Sequence, residues 1–265
     1  MQTTDILRNH VKEKLARDEV VASMTVRLVR SIEIAHIAKT AGFDTLYVDV
    51  EHSSFSFETT GQICIAALAV GITPFVRVPA NRPEYICRAL DGGALGVIAP
   101  HVCSAAQARE VVAAAKFAPL GARSAAGGLA HLHYRSFPAA IANAALNEAT
   151  TVVVQCETAD ALDSIDEIVA VDGVDIVLVG TNDLLQDWGM PGQYEHARVR
   201  ECYARVIAAC RNRGKHVGVG GLSTRPKLVA EFVHMGARYV STGTDLAFLL
   251  GACAEKAAEV RQMTA

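Results

Sequence analysis

Eight short runs of β-branched residues alternate along this chain with longer, Ala-rich segments whose apolar residues recur at helical spacing. The predicted strands lie near 21–28, 45–50, 73–78, 95–99, 151–156, 175–179, 216–220 and 238–242. The predicted helices lie near 32–41, 56–70, 82–91, 104–115, 159–169, 194–213, 223–235 and 244–262. Strands joined by helices run parallel and are buried on both faces, which explains their continuous apolar runs. Eight such pairs in 265 residues favour one closed (β/α)₈ TIM barrel, an α/β fold, over an open doubly wound sheet.

Two segments lie outside this alternation. A polar stretch over roughly 4–17 predicts an extra N-terminal helix that caps the bottom of the barrel. The segment 117–148 contains Gly127-Gly128 and a cluster of histidines, and it predicts either a mobile cover over a site or a surface excursion or subunit contact. Because no linker-like composition interrupts the chain, residues 1–265 are predicted to form a single domain.

Charge and apolar patterning exclude several classes of partner. The formal net charge is −3 with both signs interspersed, which predicts neither a nucleic-acid partner nor an anionic membrane surface. No apolar run reaches the ~18–20 residues of a membrane span, and the N-terminus lacks the apolar core of a signal peptide. The seven cysteines form no C-x-x-C pair, so reduced thiols are expected. These features predict a soluble cytoplasmic protein.

Polar residues follow several predicted strands at their carboxyl ends, where the active sites of such barrels lie. They are Asp49, Glu51 and His52 after the second strand, Arg77 on the third, Gln155 and Glu157 at the fifth, and Asn182 and Asp183 after the sixth. Any one of them could be a helix cap or an ion-pair partner. Charges at apolar strand ends are costly to bury unless they are paired or metal-bound, so their convergence favours an active site.

The carboxylates Glu157 and Asp183 end neighbouring strands and would form a hard-oxygen site. With water and substrate oxygens, such a site suits Mg²⁺, Mn²⁺ or Co²⁺ better than a closed zinc tetrahedron. None of the seven lysines falls at the carboxyl end of a predicted strand, which disfavours Schiff-base chemistry. If a carbanion forms here, a metal is the expected electron sink.

The motifs in chain order resemble the HpcH/HpaI aldolase family over roughly residues 20–250. This family comprises class II metal-dependent pyruvate aldolases related to 2-keto-3-deoxy-sugar-acid aldolases and macrophomate synthase. The matching motifs are D-V-E-H at 49–52, F-V-R-V-P at 75–79, L-D-G-G at 90–93, Q-C-E-T at 155–158 and G-T-N-D-L at 180–184. The resemblance implies reversible retro-aldol cleavage of a 4-hydroxy-2-oxo acid to pyruvate and an aldehyde through a metal-stabilised enolate.

The resemblance also implies roles for individual residues. Glu157 and Asp183 would hold the metal, and Gln155 would contact the oxo acid or a metal-bound water. Arg77 would bind the keto oxygen and stabilise the growing enolate. Finally, His52, oriented by Asp49, would take the proton of the 4-hydroxyl, since histidine ordinarily titrates near pH ~6.5.

Three further residues are expected near the substrate. Ser124 and the helix N-terminus after strand 6 would help to bind the substrate carboxylate. Asn182 departs from the family's motif and lies on the side of the acceptor aldehyde. Asp91 would reach the site of a neighbouring subunit, which implies a homo-oligomer; family members often form hexamers, as trimers of dimers, that exchange C-terminal helices.

Several alternatives remain open at the level of sequence. An oxaloacetate-type decarboxylase needs the same enolate stabilisation but no base. Coenzyme A thioester chemistry, a phosphosugar isomerase and a non-catalytic metabolite-binding barrel rank lower. Phe55, Phe57 and Trp188 either admit a bulkier acceptor or, as we favour, pack in the core.

Overall fold

A computed structural model describes residues 3–263 and contains eight parallel strands closed into a barrel. The strands are β1 (Val21–Val26), β2 (Thr45–Asp49), β3 (Thr73–Arg77), β4 (Gly96–Ala99), β5 (Thr151–Cys156), β6 (Ile176–Gly180), β7 (His216–Gly220) and β8 (Tyr239–Thr244). Each strand pairs with the next, and β8 pairs back with β1. The predicted fold class is confirmed, and every predicted strand end lies within two residues of the observed one.

Helices follow the strands and surround the barrel. They are α1 (His10–Ala16), α2 (Glu33–Thr40), α3 (Phe57–Val70), α4 (Pro83–Asp91), α5 (Ala105–Ala115), α6 (Ala139–Ala149), α7 (Ala159–Asp163), α8 (Ile165–Val169), α9 (Thr181–Asp187), α10 (Ala197–Arg211), α11 (Pro226–Met235) and α12 (Asp245–Gln262). The predicted helix at 159–169 is interrupted at Ser164. No bounds are predicted for the helices that the structure shows as α6 and α9. A helix beginning after strand 6 is expected, and α9 confirms it, but the side chains of its Thr-Asn-Asp start also favour turns, so the sequence does not define its bounds.

The inside of the barrel changes from apolar to polar along its axis. Near the amino-terminal ends of the strands it is filled by stacked rings, with the Phe75 and Tyr239 centroids 6.0 Å apart, and by aliphatic side chains such as Ile176. Towards the carboxyl ends the buried inner residues include Thr25 and Gln155. Chemistry is therefore confined to one end of the barrel.

The opposite end is closed by α1. Its Val11 and Leu15 belong to the apolar cluster inside the barrel, which confirms the predicted cap. The predicted continuous helix over roughly 4–17 is wrong, because residues 6–9 separate a 3₁₀ turn (Thr3–Asp5) from α1. Asn9 caps α1 by accepting from the Lys12 N–H (3.2 Å) and donates to the Ala149 carbonyl (2.6 Å), so it fixes α1 to the barrel base.

The segment 117–148 packs at this same closed end. His131 Nε2 lies 2.9 Å from the carbonyl of Ala94, just before β4. Lys116 Nζ donates to the carbonyl of Asn147 (2.7 Å), next to β5. Both contacts are at strand beginnings, so the interpretation of this segment as a cover over its own barrel's site is wrong. A surface excursion or subunit contact remains.

The C-terminal helix α12 is joined to the barrel at its beginning, where Asp245 accepts from the backbone N–H of Arg27 (2.9 Å), and most of its remaining length is exposed. Within it only Asp245 is buried, and Leu249 and Leu250 are 53% and 65% exposed. Neither α12 nor any other helix within 3–263 combines the length and apolarity needed to cross a membrane.

Candidate active site

A cavity of about 300 Å³ opens at the carboxyl ends of the strands. Its lining includes most of the residues predicted from the sequence: Asp49, His52, Arg77, Gln155, Glu157, Asn182 and Asp183. Arg27, Tyr47, Ser223, Ser241 and Thr244 complete its polar wall. The rule that strand ends converge therefore locates the cavity correctly.

Glu157 lies at the end of β5 and is almost completely buried, at 2% exposure. Its Oε2 accepts from the backbone N–H of His101 (3.0 Å), and Gln155 Nε2 donates to its Oε1. A Cβ added at Gly180 would lie 2.6 Å from its Cγ, so glycine at the end of β6 is what leaves room for this carboxylate. Burial raises the pKa of Glu157, and the nearby charge of Asp183 raises that pKa further, against the effect of His101.

Arg77 is fixed by two carboxylates of the β2 end. Its Nε and Nη2 donate to Asp49 at 2.9 and 2.6 Å, and its Nη1 lies 3.0 Å from Glu51 Oε2. Burial by itself would raise the pKa of Asp49, but the hydrogen bonds and charge of Arg77 hold it below its usual range. The bidentate pair fixes the guanidinium plane at the cavity wall.

The expectation that Asp49 orients the His52 ring is not met. The Asp49 carboxylate is engaged by Arg77, and its Oδ1 accepts from the backbone N–H of His52 (3.1 Å), not from the ring. The His52 ring is half-exposed, and its Nε2 faces Glu51 Oε2 at 3.6 Å. Asp49 therefore fixes the backbone of the loop that carries His52 and makes no contact with its ring.

His101 was missed by the sequence analysis. It follows β4, and its ring lies between Glu51 Oε1 (3.1 Å from Nε2) and Glu157 Oε2 (3.0 Å from Nδ1). Its position after a strand carried the same signal as the residues singled out at the other strands.

Asn182 is the second residue of α9 and lines the cavity. Its Oδ1 accepts from the Tyr194 hydroxyl (2.8 Å), and its amide packs against Gly221. The Thr181 hydroxyl donates to the Gly220 carbonyl (2.8 Å) and so ties α9 to β7.

Ser124 and Asp91 lie away from this cavity. Asp91 ends α4 and accepts from Arg123 Nη2 (2.6 Å), and Ser124 follows Arg123 as an exposed residue. Ser124 is absent from the lining of this cavity, so its predicted role beside the helix N-terminus after β6 stays a prediction. The predicted role of Asp91 at a neighbouring subunit stays a prediction.

The aromatic residues near the motifs pack in the core. Phe55 is 6% exposed, the Phe57 ring stacks on Tyr85 with centroids 6.0 Å apart, and Arg198 covers Trp188 at 4.1 Å. None of them lines the described cavity, so the packing interpretation is confirmed.

The residues present fit a divalent cation. Gln155 Oε1 is buried without a partner inside the site. Burial, and after it the charges of Asp183 and Glu51, raise the pKa of Glu157, and a bound cation would stabilise its ionised form. Residues 3–263 contain no group of three or more His, Cys, Asp or Glu side chains placed for a metal. Two carboxylates are nevertheless enough for an ion such as Mg²⁺, which retains waters and binds substrate oxygens.

Known proteins resemble this chain along almost its whole length. It is 40% identical over 259 residues to the 4-hydroxy-4-methyl-2-oxoglutarate aldolase of Hapsidospora irregularis, covering 96% of each protein. It is 31% identical to the 4-hydroxy-2-oxo-heptane-1,7-dioate aldolase of Salmonella arizonae, covering 92% of this chain and 91% of that enzyme. The crystal structure of an HpcH/HpaI aldolase from Desulfitobacterium hafniense superposes with a TM-score of 0.90 at 31% identity, covering 96% and 97% of the two chains.

The barrel, the carboxylate-lined mouth and these relatives define an enzyme of the aldolase/lyase class. The family model for HpcH/HpaI aldolase/citrate lyase matches residues 28–252, and the chain belongs to that family. The predictions of the family and of an aldolase-type carbon–carbon lyase are thereby confirmed.

Proposed function

We propose that this enzyme is a divalent-metal-dependent lyase that reversibly cleaves 4-hydroxy-2-oxo acids to pyruvate and a carbonyl product. The observation that carries the proposal is the placement of Glu157 and Asp183 in one cavity with the fixed guanidinium of Arg77. Glu157 and Asp183 would hold Mg²⁺, Mn²⁺ or Co²⁺. When bound, the ion would supply Lewis-acid withdrawal of charge from the 2-oxo group.

The side chains of the site have separate tasks in this proposal. Arg77 binds the oxygen on which negative charge grows, and its two carboxylate partners keep it from reorienting during the reaction. Gln155, whose Oε1 has no protein partner within 3–263, accepts a hydrogen bond from a water or from the bound acid. His52 accepts the proton of the 4-hydroxyl as the carbon–carbon bond breaks.

Arg27 indicates which acids fit. It lines the cavity, and its Nη2 donates to the carbonyl of His52 (2.7 Å), while its Nη1 has no protein partner in the described part of the chain. A carboxylate on the carbonyl product would lie beside His52 and meet this free N–H edge. The Hapsidospora relative is named for such a dicarboxylic substrate, and we propose that this chain prefers one too.

A decarboxylase of oxaloacetate-like acids is the second candidate. It is favoured by the half-exposed His52 ring, which Asp49 does not hold in place, because decarboxylation requires no base. Replacing His52 with glutamine separates the two reactions. Aldol cleavage should fall steeply in that variant, while decarboxylation of oxaloacetate should persist.

We also propose that the enzyme is a cytoplasmic homo-oligomer, a hexamer built as a trimer of dimers, with residues 1–265 forming one domain per subunit. The exposed apolar residues of α12, including Leu249 and Leu250, support burial of this helix against another copy. The free thiols of all seven cysteines suit a reducing compartment.

Pyruvate release from 4-hydroxy-2-oxo acids tests the proposed function. The purified protein is treated with EDTA and assayed with and without Mg²⁺, Mn²⁺ or Co²⁺, beside Glu157→Ala. We expect release that returns with metal and is absent from the variant. Release that survives both chelation and loss of Glu157 would contradict the metal site.

A further inference from the structure

His101 has a backbone conformation that brings its backbone N–H and a ring nitrogen to the same oxygen. Its φ is +53°, in the left-handed region that non-glycine residues seldom adopt. In this conformation its backbone N–H and its ring Nδ1 both lie 3.0 Å from Glu157 Oε2. Such uncommon backbone geometry is retained where the surrounding contacts enforce it, and it clusters at functional sites.

The other side of the ring is held as well. His101 Nε2 lies 3.1 Å from Glu51 Oε1, and Glu51 Oε2 lies 3.0 Å from Arg77 Nη1. The ring is 62% exposed, whereas the Glu51 and Glu157 side chains are 9% and 1% exposed. An exposed ring contributes little to core packing, so these contacts are what set its position.

Glu157 has little freedom left once these contacts are made. Gln155 engages its Oε1, His101 engages its Oε2, and the backbone at Gly180 lies against its Cγ. Hydrogen bonds to ligating carboxylates orient them towards a metal, and their loss typically costs 10–100-fold in metal affinity.

We propose that His101 is a positioning residue, and that the chain of contacts Glu51–His101–Glu157 aims the Glu157 carboxylate at the divalent cation. This inference rests on the proposed function, because it assigns Glu157 to the metal. This positioning role differs from that of a surface ion pair, which would contribute almost nothing measurable to stability.

Binding of Mn²⁺ to EDTA-treated, full-length protein measures this role without reference to turnover. We compare the wild type, His101→Ala and His101→Asn by isothermal titration calorimetry. For His101→Ala we expect the dissociation constant to rise about 10–100-fold. Asparagine tolerates positive φ and retains a side-chain N–H donor, so His101→Asn should lose less affinity.

A matched control is available at the other end of the barrel. His133 also has a positive φ, of +51°, is exposed, and lies at the end of the 3₁₀ turn beyond α5. His133→Ala therefore repeats the backbone and side-chain change without touching a carboxylate, and it should bind Mn²⁺ as the wild type does.

The outcomes separate this inference from the proposed function. Wild-type protein that binds no Mn²⁺ would overturn both. Wild-type binding with an unchanged constant in His101→Ala would overturn only the positioning role. If His101→Ala does not fold, Glu51→Gln, which breaks the same chain of contacts at its far end, must weaken Mn²⁺ binding for the role to stand.

Discussion

Gly180→Ala tests whether the position of Glu157 controls the site. The new Cβ would lie 2.6 Å from both Cγ and Oε1 of Glu157. Carbon atoms pack at about 3.5–4.0 Å, so roughly 1 Å of displacement is required. The φ of Gly180 is −84°, which alanine adopts freely, so backbone strain does not contribute.

The carboxylate is the group that must move, because the added methyl belongs to a barrel strand. Moving it stretches the contacts with His101 and Gln155. A displacement of about 1 Å in a catalytic arrangement can reduce the rate about 100-fold, and overpacking costs about 1–3 kcal/mol of stability. We therefore expect kcat/KM for pyruvate release to fall about 100-fold and Mn²⁺ binding to weaken, in a protein that still folds.

Gly96→Ala is the matched control for this substitution. Its Cβ would meet the Phe75 ring at 2.6 Å, so it overpacks the barrel to a similar degree at the apolar end. It should lose comparable stability in thermal unfolding, and its folded fraction should retain wild-type turnover. Wild-type kcat/KM together with wild-type Mn²⁺ affinity in Gly180→Ala would refute the reasoning.

Three other predictions concern different parts of the molecule. Burial lowers the pKa of His131 to about 4, so as the pH drops the unfolded chain binds a proton before the folded chain does. The free energy of unfolding should therefore fall by about 3 kcal/mol between pH 6.5 and pH 4. Urea unfolding of the wild type and His131→Gln across this range measures the effect, and an equal pH dependence in both proteins would contradict it. Arg27→Gln should lower kcat/KM about 10–100-fold for a dicarboxylic 4-hydroxy-2-oxo acid, and much less for an acid that releases a neutral aldehyde. Arg30→Gln is the control: the Arg30 guanidinium binds Ser54, so its loss should not change the ratio of kcat/KM between the two acids. Leu250→Asp should shift the mass measured by light scattering towards smaller species, and an unchanged mass would count against an interface at α12.

The barrel and the approximate site could be predicted because both depend on local pattern. Parallel strands buried on both faces give continuous apolar runs, and the residue after each run must lie at the same rim. That rule predicts that Arg77, Gln155, Glu157 and Asp183 lie close together, and all four line one cavity. The same rule applies to His101, which follows β4 as the other site residues follow their strands.

Pairings between side chains could not be predicted in the same way. Asp49 has His52 three residues away and Arg77 on the neighbouring strand, and both are plausible partners in sequence. The register aligns Asp49 with Arg77 directly across β2 and β3, so the arginine takes the carboxylate. The course of 117–148 depends likewise on distant contacts, such as that of His131 with Ala94, which periodicity does not encode.

The charges at the rim explain why a dication suits this site. Asp49 and Glu51 are matched by Arg77, with Arg27 at 3.2 Å from Asp49. Glu157 and Asp183 have no guanidinium or ammonium partner among residues 3–263, and their mutual repulsion contributes to the raised pKa of Glu157. Two neighbouring carboxylates without such a partner are costly, unless a proton or a cation joins them. A divalent ion would neutralise both, and it could then also bind the oxygens of an anionic oxo acid.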